Sequence, residues 1–555
     1  MGDLTQITPP KDLSDDERAA VFQHVMRRLA ARRNTAELYA LAEYNLSALS
    51  EARRENIRAS FVRSMSDWCQ ELLKDVWLAC GEPGGVVPTL GPLSDTSSVD
   101  LPRLPDKERM KKLLNTVLFL NVTSSKTYSA HTRAFLSSFG VLDEEAVVAT
   151  LKNPKHALEE AQRKTGNTTR EASEQSKTLR NIGIGFGAVA GGVLIGVTGG
   201  LAAPLVGAGV TTILGWLGVG GTAAGLLASG LASSSVVCGA LFGAYGSKRT
   251  ADTVSRYLRE VNDLAIVPVG GPRNTLAVRL CVSGWLDNPE DVIAPWSIFG
   301  GDDTFALRWE VKALEDLSNA LTVLIKAQTM KYVRAEIIKR TVFASLFAAL
   351  SPAAWLKLMQ IIDNPWMTAK SLASKAGKVL GKLLAQRVLG NRPITLVGYS
   401  LGSIVIFEAL QHLASLLPSQ TVHLVQDVFI FGSPIPVDEA AWTAARRVVA
   451  GRFVNGYGSN DYILAVLSRL SNASWSVAGL EQVVVKGIEN FSCDQVDGHL
   501  KWRTMIGQCL YACEAPDIIG SEMEKQLEGA SGNTLREMEM NERDVDRVIQ
   551  QGPVD

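Results

Sequence analysis

The sequence predicts a doubly wound, mostly parallel α/β domain over residues 262–512, preceded by an all-α module and a Gly-rich hydrophobic helical hairpin. Three observations carry this: short β-branched runs alternate with helical stretches in the C-terminal half, apolar residues recur at helical spacing near the N-terminus, and residues 181–247 contain no Asp, Glu, Lys, Arg or His. A chain of 555 residues is too long for one compact unit. Its 56 basic and 57 acidic residues cancel, which argues against nucleic acid or another polyanion as partner. Seven cysteines, an odd number without CxxC spacing, predict a reducing compartment.

The first residues contain no apolar signal region, so a cytosolic start is expected. Ser14 and Glu17 form a capping-box pattern ahead of Ala20, Val21, Val25 and Leu29, which predicts helix over most of residues 14–80. A Gly/Pro/Ser-rich connector at 81–105 interrupts the pattern, and helix is expected again to about residue 165. Packing support is the simplest role for this module, and partner binding the sharper one.

The 67 residues from 181 to 247 hold 19 of the 48 glycines, several at four-residue spacing, including Gly192/Gly196/Gly200 and Gly239/Gly243. A span needs about 20 apolar residues, so two spans and a turn fit. Small residues at that spacing let helices approach closely in lipid. Basic flanks (Lys177 and Arg180 before, Lys248 and Arg249 after) predict both ends on the cytosolic side, hence an intracellular membrane protein with cytosolic N- and C-terminal parts. A glycine-rich hairpin buried in protein is the competing reading, because glycine weakens helices.

Strands are expected at 275–282, 305–311, 393–399, 425–432, 452–458 and 480–488, with helices at 312–328, 401–416 and 438–449 between them. The near-continuous apolar character of these runs implies a sheet covered on both faces. The stretch 330–390 reads as a lid-like helical insert whose 15-residue apolar core, Thr341 to Trp355, is too short and Pro352-interrupted for a further span. The tail 514–555, with 11 acidic and 4 basic residues, reads as disordered.

Between a strand and a helix stands Gly398-Tyr399-Ser400-Leu401-Gly402, a G-x-S-x-G set whose glycines permit a tight turn that exposes the serine. A serine nucleophile needs a base and an orienting carboxylate, following in the order Ser, Asp, His. Of the histidines beyond Ser400, His412 lies in the following helix and His423 precedes the next strand, which leaves His499 in DQVDGHLKW. Asp461 directly follows a strand and is the expected carboxylate; Asp427 and Asp438 start elements, while Asp494 and Asp497 are rivals near His499. For the oxyanion, one N–H is expected from Leu401 and the other from Trp285, with Leu286 next, in the glycine-containing turn that ends 281–286. HExxH, paired CxxC and P-loop patterns are absent, so no metal and no cofactor is expected.

At these residues the chain resembles the transmembrane and coiled-coil domain-containing protein 4 family. The matching stretches include TGGLAAP (198–204), VSGWLDNPEDVIAPW (282–296), RPITLVGYSLGS (392–403), GRFVNGYGSNDYIL (451–464) and DGHLKWR (497–503), within residues 105–510. The resemblance implies a membrane-anchored α/β-hydrolase-like domain without supplying a substrate. One yeast relative is associated with clathrin-adaptor trafficking. The expected function is a membrane-anchored serine hydrolase, esterase- or lipase-like, cleaving a lipid ester at the bilayer. The alternative is a non-catalytic scaffold or vesicle-trafficking adaptor with a trafficking protein as partner.

Overall fold

Side-chain caps set the helix starts of the N-terminal part. In the computed structural model, which describes residues 13–153, 234–242, 261–326, 352–471, 476–496 and 498–528, α1 (Asp15–Leu46) begins at the Ser14/Glu17 capping box. It packs against α2 (Glu51–Ala79). Asp106, Ser129 and Asp143 then cap α3 (Lys107–Ser125), α4 (Ala130–Ser137) and α5 (Glu144–Lys152). The connector 81–105 forms neither helix nor strand. Phe61, Trp68, Leu72, Val76 and Leu118 are among the buried side chains of this module.

Of the glycine-rich segment, only α6 (Ser234–Phe242) is described. It packs on α3 and α5, burying Val237, Cys238 and Leu241, and the Ala240 carbonyl accepts the Asn391 N–H at 3.0 Å. This corrects the expectation of a lipid-embedded hairpin at its C-terminal end, because those apolar side chains find their partners in protein. Gly239, expected in a helix–helix contact, faces open space. The remainder of 181–247 lies outside the described residues, among which no helix is long and apolar enough to cross a membrane.

The C-terminal half is built on a seven-stranded sheet: β1 (Leu264–Pro268), β2 (Val278–Val282), β3 (Asp303–Trp309), β4 (Ile394–Tyr399), β5 (Val425–Phe431), β6 (Phe453–Tyr457) and β7 (Glu489–Ser492). Their order is β1-β3-β2-β4-β5-β6-β7, parallel throughout except for the antiparallel edge pair β1/β3. Every residue of β2, β4 and β5 is buried, in keeping with their near-continuous apolar runs, and Arg279, Gln426 and Asp427 are buried with them. Contiguous helices α7 (Val311–Lys326), α8 (Pro352–Ala385), α9 (Leu401–Ser415) and α11 (Glu439–Val448) pack against one another, and the helical turn α10 (Pro418–Thr421) links α9 to β5. Helix α12 (Tyr462–Ser471) follows β6, and α13 (Trp502–Ala512) lies against β4 and β5.

Four readings change. β1 was not expected: LAIVP is short and carries no alternation of its own. The strand expected at 480–488 is irregular, with Val484 exposed, and pairing falls instead on β7. Of the insert expected at 330–390, the described part, α8, covers the sheet: Trp366, Ala373, Ala376, Val379 and Leu383 join its core, and Gly377 lets α8 close on the Val405 carbonyl of α9, while 330–351 lie outside the described residues. Residues 514–528, expected to be disordered, are fastened to the domain. Asp517 pairs with the fully buried Arg279 of β2 at 3.0 Å, and the Ile519 N–H reaches the Ile298 carbonyl at 2.8 Å. A buried arginine needs such partners.

Charged contacts join the two halves. Arg133 of α4 donates to Asp302 at 2.8 Å and to Gln426 at 3.0 Å, and Arg447 of α11 pairs with Glu43 of α1.

Candidate active site

The turn after β4 is held in a conformation that side chains seldom adopt. Ser400 has φ +53° and ψ −128°, its N–H donates to the Phe431 carbonyl at 2.9 Å, and its own carbonyl accepts from Ser403 at 3.0 Å as α9 starts. The two flanking glycines are required sterically. A β-carbon at Gly402 would overlap the Val282 carbonyl oxygen, and one at Gly398 would lie 2.7 Å from Ile406 Cδ1 and 3.0 Å from that same oxygen. These contacts press α9 onto β2 and turn the Ser400 side chain toward the loops beyond the strands' C-terminal ends.

Two loops meet it there. Gly498, at φ +105°, turns the chain so that the short 3-10 segment His499–Lys501 sets His499 Nε2 2.6 Å from Ser400 Oγ. Asp461, at the end of the short loop between β6 and α12, places Oδ2 2.7 Å from His499 Nδ1. A carboxylate has no proton to give, so Nδ1 donates, the neutral ring presents Nε2 as acceptor, and the Ser400 hydroxyl donates to it. Asp461 is itself fixed: Oδ1 accepts the Leu464 N–H at 3.0 Å and Oδ2 accepts Trp502 Nε1–H at 3.0 Å. Ser400, Asp461 and His499 each expose about 1% of their surface, so these hydrogen bonds are made out of water.

The loop after β2 closes against the start of α9. A β-carbon at Gly284 would lie 2.5 Å from the Leu401 nitrogen and 2.6 Å from that of Gly402. Neither the Leu401 nor the Trp285 amide donates to another group among the described residues. Three hydrogen bonds hold the loop: Trp309 Nε1–H reaches the Ser283 carbonyl at 3.0 Å, Trp296 Nε1–H reaches Ser283 Oγ at 3.0 Å, and Tyr399 Oη–H reaches the Trp285 carbonyl at 3.2 Å. Burial pushes the Tyr399 phenol up, which keeps it a donor. The Trp285 side chain packs inside with Arg503 over its ring at 5.3 Å.

The structure thus brings Ser400, His499 and Asp461 together and sets Leu401, Trp285, Gly398 and Gly402 around them. The other carboxylates serve elsewhere. Asp438 caps α11, and Asp427 accepts the Arg452 N–H at 2.6 Å with its pKa raised by burial. Asp494 accepts from Ser459 at 3.0 Å and Ser492 at 2.7 Å, bracing the loop that carries Asp461, while Asp497 lies outside the described residues. His423 meets Ser129 at 3.0 Å and its pKa is lowered to about 4 by burial. Trp502 and Arg503 carry no motif of their own; they sit in DGHLKWR beside His499, which is their one signal in the sequence.

A cavity of about 1160 Å³ lies elsewhere, between the helical module and the N-terminal ends of the parallel strands, lined by Arg32, Arg133, Asp302, Asp427 and Arg446 among others. Two of these, Arg133 and Asp302, pair with each other in its wall. Among the described residues no group of three or more His, Cys, Asp or Glu could hold a metal ion, and all seven cysteines are buried and free of disulfides.

Comparison with known proteins adds relatives. The chain is 36% identical over 408 residues to a fission-yeast (Schizosaccharomyces pombe) protein named "Uncharacterized membrane protein C6F6.13c", covering 71% of this chain and 70% of that one. It is 34% identical to the rice (Oryza sativa subsp. japonica) "Transmembrane and coiled-coil domain-containing protein STS1", covering 66% of this chain and 57% of the relative. It is 35% identical to the budding-yeast (Saccharomyces cerevisiae) "Probable lipase MIL1", covering 53% of this chain and 26% of the relative. The chain therefore spans well under two thirds of the rice and budding-yeast proteins. No solved structure matches. The family model described as "Protein of unknown function (DUF726)" matches residues 176–515, more than half of the chain, including β1 to β7 and the residues around Ser400. The chain belongs to the DUF726 family.

Proposed function

We propose that the chain is a serine hydrolase of the α/β-hydrolase fold that cleaves a carboxylic ester, with a membrane lipid as the substrate class. The observation that carries this is the continuous hydrogen-bonded line from Ser400 Oγ through His499 to Asp461, at 2.6 and 2.7 Å. The sheet order, the antiparallel edge strand and the strained serine between β4 and α9 support the fold assignment.

In this reading Ser400 Oγ attacks the ester carbonyl carbon while its proton passes to His499 Nε2, and Asp461 holds the resulting imidazolium. The carbonyl electrons move onto oxygen, where the Leu401 and Trp285 amides stabilise the charge, each contributing about 10²–10³ in rate. Collapse of the intermediate expels the alcohol, which takes the proton from His499. Water, activated by the same imidazole, then attacks the acyl-serine and releases the acid.

The word "lipase" in the name of the budding-yeast relative, and "membrane" or "transmembrane" in the names of the other two, support a lipid ester and membrane association. The finer resemblance, to the transmembrane and coiled-coil domain-containing protein 4 family, is likewise in keeping with the rice relative's name. Residues 181–233, the uncharged stretch ahead of α6, are the candidate bilayer contact, with the cytosolic parts on either side. A second reading, a scaffold or trafficking adaptor that binds a protein partner, is favoured by the burial of Ser400.

Turnover decides between the two. Full-length protein in detergent is assayed on p-nitrophenyl esters from acetate to palmitate. The hydrolase reading expects hydrolysis that falls at least about 10³-fold in Ser400→Ala, and hydrolysis by neither form, or equal hydrolysis by both, would leave the scaffold.

A further inference from the structure

We infer that the start of α13 is a two-armed positioning device, in which Trp502 fixes the carboxylate that orients His499 and Arg503 fixes the loop that offers the Trp285 amide. This rests on the hydrolase reading and adds two positioning residues to it.

Trp502 Nε1–H donates at 3.0 Å to Asp461 Oδ2, the same oxygen that accepts from His499 Nδ1 at 2.7 Å, while Oδ1 is held by Leu464. With three donors on two oxygens, the carboxylate cannot rotate without losing hydrogen bonds in a buried site. The indole is locked in its turn. It is fully buried, lies 6.1 Å from the Phe431 ring, and leaves no room for a β-carbon at Gly432, which has φ +54°. Phe431 also supplies the carbonyl that holds the Ser400 N–H. One tryptophan therefore touches the support of both ends of the proton path.

The next residue reaches the other side. Arg503 Nη1 donates to Asp291 Oδ2 at 2.7 Å, and the guanidinium covers the Trp285 ring at 5.3 Å. That same Asp291 oxygen accepts the Asp287 and Asn288 amides at 2.8 and 3.1 Å, and the Asp291 carbonyl accepts from Ser283 Oγ at 2.9 Å. Residues 283–291 are thus gathered on Asp291, by its carboxylate and its backbone carbonyl, and the counter-ion of that carboxylate is Arg503. Successive residues of a helix point about 100° apart, so adjacent side chains at the head of α13 can hold two different loops. A buried indole needs only some acceptor to be satisfied; here its acceptor is the oxygen that His499 uses, and that choice has a kinetic consequence.

The test uses full-length protein in detergent with p-nitrophenyl butyrate. Trp502→Phe keeps an aromatic ring and deletes the N–H. It is expected to lower kcat about tenfold at unchanged KM and to move the acid limb of the kcat/KM pH profile upward, because Asp461, freed of one donor, holds the imidazolium more tightly. Arg503→Met is expected to lower kcat about tenfold with the acid limb unmoved, and Arg503→Lys to recover part of the loss. Melting curves accompany each variant; should Trp502→Phe fail to fold, the Met and Lys variants of the less buried Arg503 decide. Folded variants with wild-type kcat and pH profile overturn the device alone. A wild type without Ser400-dependent turnover overturns the hydrolase reading and the device together.

Discussion

Gly284 and Tyr399 touch so closely that a β-carbon on the glycine would overlap the tyrosine's carbonyl oxygen. The contact joins the loop after β2 to the residue before Ser400, and it brings the Leu401 amide beside the chain that leads into Trp285. Gly284→Ala must therefore push the loop away from α9. The expected outcome is loss of at least about 10²-fold in kcat, as for removal of an oxyanion donor, together with a lowered melting temperature. Steady-state kinetics on a short ester, alongside calorimetry, checks both.

Ser400 sits at positive φ, and backbone held in such a region costs about 1–3 kcal/mol. Ser400→Gly removes the strain and Ser400→Ala does not. The glycine variant is expected to be more stable than the alanine variant by about 1 kcal/mol, with both inactive. Chemical denaturation of the two variants under one condition reads the difference.

Asp461 orients His499 by accepting from Nδ1. In Asp461→Asn the amide can turn its NH₂ toward Nδ1, which favours the tautomer protonated at Nε2, unable to take the Ser400 proton. A fall of about 10³–10⁴ in kcat with KM little changed is expected. A loss confined to KM would assign Asp461 to substrate binding instead.

Asp75, in the core of the helical module, bonds Asn121 at 2.8 Å, and burial raises its pKa to about 6. The folded state binds a proton more tightly than the unfolded state, so this group's contribution to stability is greatest below the unfolded value of 3.8 and is lost as pH rises to about 6. Asp75→Asn removes the cost of ionisation. It is expected to stabilise the protein by roughly 2 kcal/mol at pH 7 and to have little effect near pH 4. Melting temperatures of both forms at the two pH values test the sign.

Legibility in the sequence follows the range of the interaction. The helix of residues 14–46, the central strands and the Ser400 turn are readable because caps, unbroken apolar runs and G-x-S-x-G are local signals. His499 and Asp461 are reachable by elimination, since few histidines and strand-end aspartates follow Ser400. Gly284 is legible as the glycine of the turn that ends 281–286, whereas Trp502 and Arg503 act through contacts made only after folding, and no spacing announces them. The same holds for β1, which exists as a strand by pairing with β3, and for residues 514–528, whose acidic composition hides the partner that Arg279 supplies. The uncharged 234–242 stretch misleads because burial in protein and burial in lipid select the same side chains.

The most direct measurement is mass spectrometry of the full-length protein after reaction with a fluorophosphonate. Phosphonylation of Ser400 at a single site is expected, abolished in Ser400→Ala and slowed by more than about 10³-fold in His499→Ala. Absence of a Ser400 adduct in a folded preparation, or one formed as fast without His499, would contradict the account.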